Sequence, residues 1–254
     1  MGLAMDKGRN GRGFTLVELL VVVAIIALLI SILLPSLGVA KQLAQSADCS
    51  SNTRSLGMAV QMYVTESNEY YPAAWRAGAP ESIAWCGAYY TVGGVAYMDV
   101  TRGPLWPYLK QKQITDCPNF VPVKVKYAGS GRISGFGINH QYVAGSPEPD
   151  PNNSGMAPWG KPAKASQIRN HAETILFADC GRFKSGVLNE EVFIYPRYKY
   201  DGTSLNYATF HFRHRDKANA NFCDGHSEAV SPLLLDPAGD GKCGWMANDI
   251  MDRD

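Results

Sequence analysis

The sequence predicts an α+β protein in which a long apolar N-terminal helix is joined to a small head built on an antiparallel sheet. Three observations carry this. From Phe14 to Leu34 the chain is almost uninterruptedly apolar, broken only by Thr15, Glu18 and Ser31. Apolar residues then recur at helical spacing to about Thr65. Beyond Glu69-Tyr70-Tyr71-Pro72 the pattern changes to short β-like runs among glycines and aromatics, with Asp224-Gly225 between two alternating stretches near the end.

The first run spans a membrane by length. At about 1.5 Å per residue, Phe14 to Leu34 crosses a hydrocarbon core of roughly 30 Å. Lys7, Arg9 and Arg12 precede it against a single Asp6. The positive-inside rule therefore keeps residues 1–13 cytoplasmic and places everything after Pro35 outside the cytoplasmic membrane. Two plainer readings exist. A secretory signal peptide has an apolar core of roughly 7 to 15 residues and a small-residue cleavage site; this run is longer and no convincing A-x-A follows. A simple signal anchor fits the length but gives no reason for Gly13 or for Glu18. An ionisable group within a bilayer costs roughly 2.5 to 3.5 kcal/mol on insertion scales, so Glu18 needs a partner.

The Gly13-Phe14 junction, with Glu18 as the fifth residue after the glycine, resembles the processing site of type IV prepilins and type II secretion pseudopilins. The resemblance implies cleavage by a prepilin peptidase between Gly13 and Phe14, and methylation of the new N-terminal Phe14. It also implies a pilin-like fold, with the N-terminal helix packed on the head. Glu18 would pair with the amino terminus of Phe14 on a neighbouring subunit, setting register in a filament, since opposite charges in lipid stabilise each other only when subunits pack. Pro35 matches a proline many members carry there, where it loosens or kinks the helix. Implied partners are other pilin-like subunits, an assembly platform protein and an assembly ATPase, with membrane lipid around the helix before assembly.

The expected organisation is a leader at 1–13, a transmembrane part at 14–35, an exported helical half at 36–66 and an α+β head at 67–254. From Phe14 to Thr65 the helix would measure roughly 75 to 80 Å at 1.5 Å per residue. Leu37, Ala40, Leu43, Ala44 and Ala47, then Leu56, Ala59, Val60 and Tyr63, form the stripe expected to cover the head. The polar stretch Asp48 to Thr53 either breaks the helix or faces solvent. β-like runs are Ala88–Val95, Ser134–Ile138, Thr174–Phe177 and Val192–Tyr195, while Leu105–Leu109 reads as a short helical element. Residues 145–162 read as a surface loop. Asp224-Gly225 predicts a tight hairpin in which both turn residues take positive φ.

His214, nine residues, then Asp224-Gly225 is similar to the C-terminal motif of a prepilin-like group found in planctomycetes and related bacteria; Asn52–Tyr63 and Cys117-Pro118 add weaker similarity. The resemblance implies an exported pilin-like protein and no established activity. His211, His214, Asp224 and His226 offer zinc-type ligands, but a three-residue spacing puts His211 and His214 on opposite faces of a strand; a structural turn is the preferred reading. Asp236, Asp240, Asp249 and Asp252 match no EF-hand spacing, although the major pseudopilins often bind calcium near the C-terminus. No metal or other cofactor is assigned.

Cys49, Cys86, Cys117, Cys180, Cys223 and Cys243 fall on the exported side and are candidates for disulfides, with Cys180 and Cys223 on neighbouring β-like runs. No G-x-S-x-G, P-loop or H-E-x-x-H is present. His171, Glu173 and Asp179 can be assembled only into a hypothetical site of scattered polar residues, common in a domain of this size, and the chain is not expected to be an enzyme. A net charge of +1 gives no basis for nucleic-acid binding. An alternative function is a membrane-anchored envelope protein whose head binds a carbohydrate or other surface ligand. It is favoured if several of Trp75, Trp85, Trp106, Trp159 and Trp245 are exposed together in one groove, and loses its basis if all are buried.

Overall fold

The computed structural model describes residues 14–78, 81–109, 117–120, 135–145, 161–195, 208–237 and 239–246. The leader with Gly13, Ser134, most of the 145–162 loop including Trp159, and Asp249 and Asp252 lie outside them. The chain divides into two compact units, Met1–Leu43 and Ala44–Asp254.

One helix, α1 (Leu16–Glu66), crosses the unit boundary. It begins at a capping box legible as Thr15-x-x-Glu18: Thr15 N–H donates to Glu18 Oε2 at 2.8 Å, and Glu18 N–H donates to Thr15 Oγ1 at 3.3 Å. Its apolar first part is exposed throughout, long and apolar enough to cross a membrane. Pro35 sits inside the helix, which continues past it although proline supplies no N–H for the carbonyl four residues back. The hydroxyls of Ser31 and Ser36 bond back to the carbonyls of Leu28 and Leu33.

In the second unit the same helix turns amphipathic. Cys49, Thr53, Leu56, Gly57, Val60 and Val64 are buried at spacings of three, four and one, a single stripe of a 3.6-residue period. This corrects two expectations. Leu37, Ala40, Leu43, Ala44 and Ala47 are exposed and cover nothing within their own units. The stretch from Asp48 to Thr53 neither breaks the helix nor simply faces water, because Cys49 and Thr53 point inward and the Thr53 hydroxyl is satisfied by the Cys49 carbonyl at 2.9 Å. Beyond Glu66, Asn68 and Glu69 adopt positive φ, and Glu69 N–H returns to Val64 O at 3.0 Å, closing the helix.

An antiparallel sheet follows in chain order: β1 (Trp75–Arg76), β2 (Ser82–Ala84), β3 (Gly87–Val92) and β4 (Val95–Asp99). The run expected as one strand from Ala88 to Val95 is a hairpin. Gly93 and Gly94 both take positive φ, the requirement of a two-residue turn between twisted strands. The short helix α2 (Trp106–Leu109) comes next. The main sheet contains β5 (Phe136–Asn139) and β6 (Ile175–Asp179). After a two-stranded ribbon of β7 (Arg182–Lys184) and β8 (Val187–Asn189), it gains β9 (Phe193–Ile194). With β10 (Phe210–His211) lying in a separate sheet, the main sheet is completed by β11 (Ala218–Phe222) and β12 (Ser227–Val230). Its order is β12-β11-β6-β5-β9, antiparallel except for the β5–β9 pair. β13 (Leu234–Leu235) and β14 (Cys243–Trp245) join β10 in a three-stranded sheet.

Every residue of β6 and β11 is buried, so the centre of the sheet is covered on both faces. Leu56, Val60 and Val64 of α1 pack with Trp85, Phe136, Ile138 and Phe177; Ile175, Phe210, Phe212, Ala218, Ala220 and Phe222 form a second cluster. β11 alternates Ala218, Ala220 and Phe222 with Asn219 and Asn221. Asn221 lies against Gly57, where a Cβ would stand 2.2 Å from Asn221 Oδ1, so only glycine permits this approach. Asn221 Nδ2 in turn donates to the carbonyls of Gly225 and His226, and Gln61 Nε2 donates to Cys223 O at 2.8 Å. The hairpin is therefore seated on the helix. Its turn differs from the one expected: Gly225 alone has positive φ (94°), and Gly225 N–H bonds to Phe222 O. This makes a three-residue loop whose glycine takes the left-handed position.

Gly57→Ala is expected to lower head stability by about 1 to 3 kcal/mol through overpacking against Asn221. Gly38→Ala, where nothing lies within 4 Å, is expected to gain up to about 1 kcal/mol of helix propensity. Urea titration of the detergent-solubilised chain, followed by tryptophan fluorescence and circular dichroism, checks both.

Candidate functional site

Two places carry chemistry. The first is the start of α1. Phe14 is 70% exposed and precedes the helix, while Glu18 Oε2 accepts from both the N–H and the hydroxyl of Thr15, each at 2.8 Å. The carboxylate is thereby held at the N-terminal end of the helix, against the backbone and hydroxyl of Thr15. Thr15 was missed as a participant, although the Thr-x-x-Glu spacing was there to find it.

The second is a buried cluster in the head. Asp179, at the end of β6, is completely buried. Its Oδ1 accepts from Arg213 at 2.8 Å, and its Oδ2 accepts from Asn219 N–H at 2.6 Å and lies 3.3 Å from His214 Nε2. Cys49 Sγ of α1 lies 3.1 Å from both Asp179 Oδ1 and Cys117 Sγ. Cys117 Sγ also accepts from Arg213 Nε at 3.2 Å and sits 3.5 Å from His214 Nε2. Arg213 reaches further to the carbonyls of Gly135 and Cys180 and lies over the Phe120 ring. Asn119 Nδ2 is 3.2 Å from His214 Nδ1.

Local backbone explains how His214 gets there. Arg215 and Asp216 both take positive φ, in a turn closed by reciprocal bonds between His214 and Lys217. Two non-glycine residues in the left-handed region are costly, so tertiary contacts must hold them.

The electrostatics follow from burial and proximity. Burial opposes charge on Asp179, but Arg213, His214 and the Asn219 N–H outweigh it and keep the carboxyl below its ordinary range. Burial likewise works against charge on His214, and the Asp179 carboxylate with the Cys117 sulfur overcomes it, raising the imidazole to about 9. The Cys49 hydrogen bond leads in lowering Cys117 to about 5, with Arg213 and His214 assisting. Cys49 is pushed far up, by burial first.

The other sequence candidates separate. His214 and Asp224-Gly225 lie at opposite ends of β11 and form no joint site. Asp224 Oδ1 accepts from His226 N–H at 3.0 Å and contacts its ring, within the turn. His211 Nε2 meets Asp240 Oδ2 at 3.0 Å beside Cys243, while Asp240 Oδ1 accepts from Lys242 and Cys243 N–H. His171, Glu173 and Asp179 do not assemble: Asp179 is enclosed by Arg213, His214 and Asn219, and the His171 carbonyl serves Asp224 N–H.

All six cysteines are buried thiols. The juxtaposition of Cys180 with Cys223 is corrected by strand register. β6 and β11 run antiparallel with Ala178 opposite Ala220, so Cys180 lies beyond one end of the pair, and Cys223 N–H bonds to Thr174 O at the other. Cys180 Sγ donates to Phe193 O instead, and Cys86 contacts the Tyr89 hydroxyl. Among the described tryptophans, Trp85 and Trp245 are buried and Trp75 and Trp106 pack partly against the core.

An N-terminal apolar helix that opens on Phe14 and Glu18 and ends packed into an α+β head supports a type IV prepilin- or pseudopilin-like protein. Residues 8–34 match the family described as "Prokaryotic N-terminal methylation motif". Over 62 residues, 24% of this chain, the sequence is 39% identical to the "Type IV wide pilus major component PilA4" of Thermus thermophilus. That stretch spans about half (47%) of the relative's length. No solved structure matches the chain. The apolar helix and the motif together are consistent with membrane anchoring.

Arg213→Met is expected to cost about 3 to 5 kcal/mol in urea titration, because it strips a completely buried carboxylate of its permanently charged partner and leaves His214 alone to balance it. A pH effect follows from two other buried rings. His140 is lowered to about 3 by burial, and His211 to about 4 by burial and then the Arg213 charge. Both stay neutral when folded and titrate near 6.5 when unfolded. Their stabilising effect is complete above about pH 6.5 and disappears as pH falls toward 4 and then 3. The thermal midpoint should therefore drop across that window, with a shallower slope in His140→Phe.

Proposed function

We propose that this chain is a structural subunit of a type IV pilus-like or type II secretion pseudopilus filament, and not an enzyme. One observation carries the reading: an exposed apolar helix headed by Phe14 and Glu18, within the methylation motif matched over residues 8–34. Prepilin peptidase cleaves between Gly13 and Phe14, removing the leader at 1–13. The part at 14–35 then lies in the inner membrane, with the N-terminus cytoplasmic, and 36–66 carries the head at 67–254 into the periplasm or to the cell surface. Neighbouring pilin-like subunits receive the helix when it leaves lipid, driven by a platform protein and an ATPase.

Within the single chain Glu18 already satisfies the Thr15 N–H. In a filament its free acceptor capacity takes the Phe14 amino group of a neighbour, neutralising both charges in an apolar bundle. The ligand-binding alternative finds no support, because the described tryptophans are buried or packed on the core rather than exposed in one groove.

Glu18→Gln separates the two roles of this carboxylate, since glutamine keeps the capping box and removes the charge. The variant should accumulate in the membrane as a processed subunit, while sheared filaments fall by about tenfold or more, given roughly 2.5 to 3.5 kcal/mol for an unpaired charge in lipid. Filament yield equal to wild type would mean that Glu18 only caps the helix.

A further inference from the structure

We propose that Cys49, Cys117, Asp179 and His214 bind one zinc ion in a closed, structural site within the head. The four side chains come from four places: α1, the segment at 117–120, the end of β6 and the turn before β11. All are more than nine-tenths buried, and one ligand atom from each lies within 4.8 Å of all the others. Two sulfurs, one imidazole nitrogen and one carboxylate oxygen are a zinc donor set; the thiolates disfavour magnesium and calcium, which prefer oxygen.

The geometry suits that ion. Zinc bonds of about 2.3 Å to sulfur and 2.0 Å to nitrogen or oxygen, arranged tetrahedrally, separate the ligand atoms by roughly 3.3 to 3.8 Å. The His214 Nε2–Asp179 Oδ2 and Cys117 Sγ–His214 Nε2 edges are 3.3 and 3.5 Å. The Cys49 Sγ–Cys117 Sγ edge is 3.1 Å, so the two sulfurs move apart by about 0.6 Å to reach tetrahedral spacing, and Cys49 Sγ lies 3.1 Å from the other oxygen of the same carboxylate, Asp179 Oδ1.

The surroundings suit it equally. Asn119 Nδ2 lies 3.2 Å from His214 Nδ1, and a half-turn of that amide presents its oxygen to the ring N–H when Nε2 faces the metal. Arg213 and the Asn219 N–H donate to Asp179 from outside the cluster and fix the orientation of its carboxylate. Two thiolates and a carboxylate against zinc and the Arg213 guanidinium sum to zero charge in a site closed to water. Zinc enters as the dication and displaces two protons, one from the Cys49 thiol and one from the His214 imidazolium, leaving two thiolates and a neutral ring; no electron is transferred. The ion would clamp the Cys49 turn of α1 to the sheet, where the hydrophobic stripe begins.

Elemental analysis of the full-length protein, solubilised in detergent without chelator, tests this alongside a thiol count on the denatured chain. About one zinc and six free thiols per chain are expected. Exchange for cobalt should give thiolate-to-metal charge transfer and the visible bands of a tetrahedral site. Cys117→His should retain metal with weaker charge transfer, and His214→Ala should lose it. Absence of zinc and of cobalt bands in wild type, a Cys49–Cys117 disulfide in the thiol count, or unchanged metal in both variants would each overturn the site. None of these readouts requires filament assembly, so the subunit reading stands or falls separately.

Discussion

The carboxylate of Asp179 is the constraint on which the head's architecture depends. A charge removed completely from water is tolerable only when its partners are in place, and here they come from distant parts of the chain. Arg213 and His214 arrive on the segment before β11, Asn219 is the second residue of β11, and Cys49 belongs to α1. A displacement of the helix, of the turn at Arg215-Asp216 or of the β6–β11 register would leave the carboxylate unmatched. Hydrophobic packing supplies the head's driving force, whereas this cluster fixes which elements meet and where.

A single helix serves two solvents. From Leu19 to Leu34 its side chains are apolar on every face but for Ser31, suited to lipid or to a bundle of like helices. From Cys49 onward burial is confined to one stripe, and small residues on that stripe allow the sheet to come close. Gly57 against Asn221 sets the closest approach, and Asn221 spends its amide on the hairpin turn, so the turn's geometry and the helix's seating are linked. A rigid seat of this kind suits a subunit whose head must follow its helix into an assembly.

Much of this was legible in the sequence because the signals are local. The apolar run, its ionisable defect at Glu18 and the Gly13-Phe14 junction need only a window of a few turns, and the strands around Thr174 and Ala220 announce themselves by composition. Other features hid for physical reasons. Cys49 and Thr53 continue the buried stripe but are not strongly apolar, so the stretch around them read as polar. The Arg215-Asp216 turn uses residues that seldom adopt positive φ and gave no glycine signal. Cys117 and Asp179 stand 68 and 130 positions from Cys49, a separation at which no spacing rule for ligands operates. Their convergence is a product of tertiary structure alone.

The central claim, that the helix beginning at Phe14 is a processed assembly helix, is tested most directly at the mature N-terminus. Intact-mass and N-terminal peptide analysis of the protein from its native membrane, with Gly13→Val as control, should find a methylated Phe14 terminus that the control lacks. A leader still attached in cells with active prepilin peptidase would contradict the account and leave a simple membrane-anchored protein.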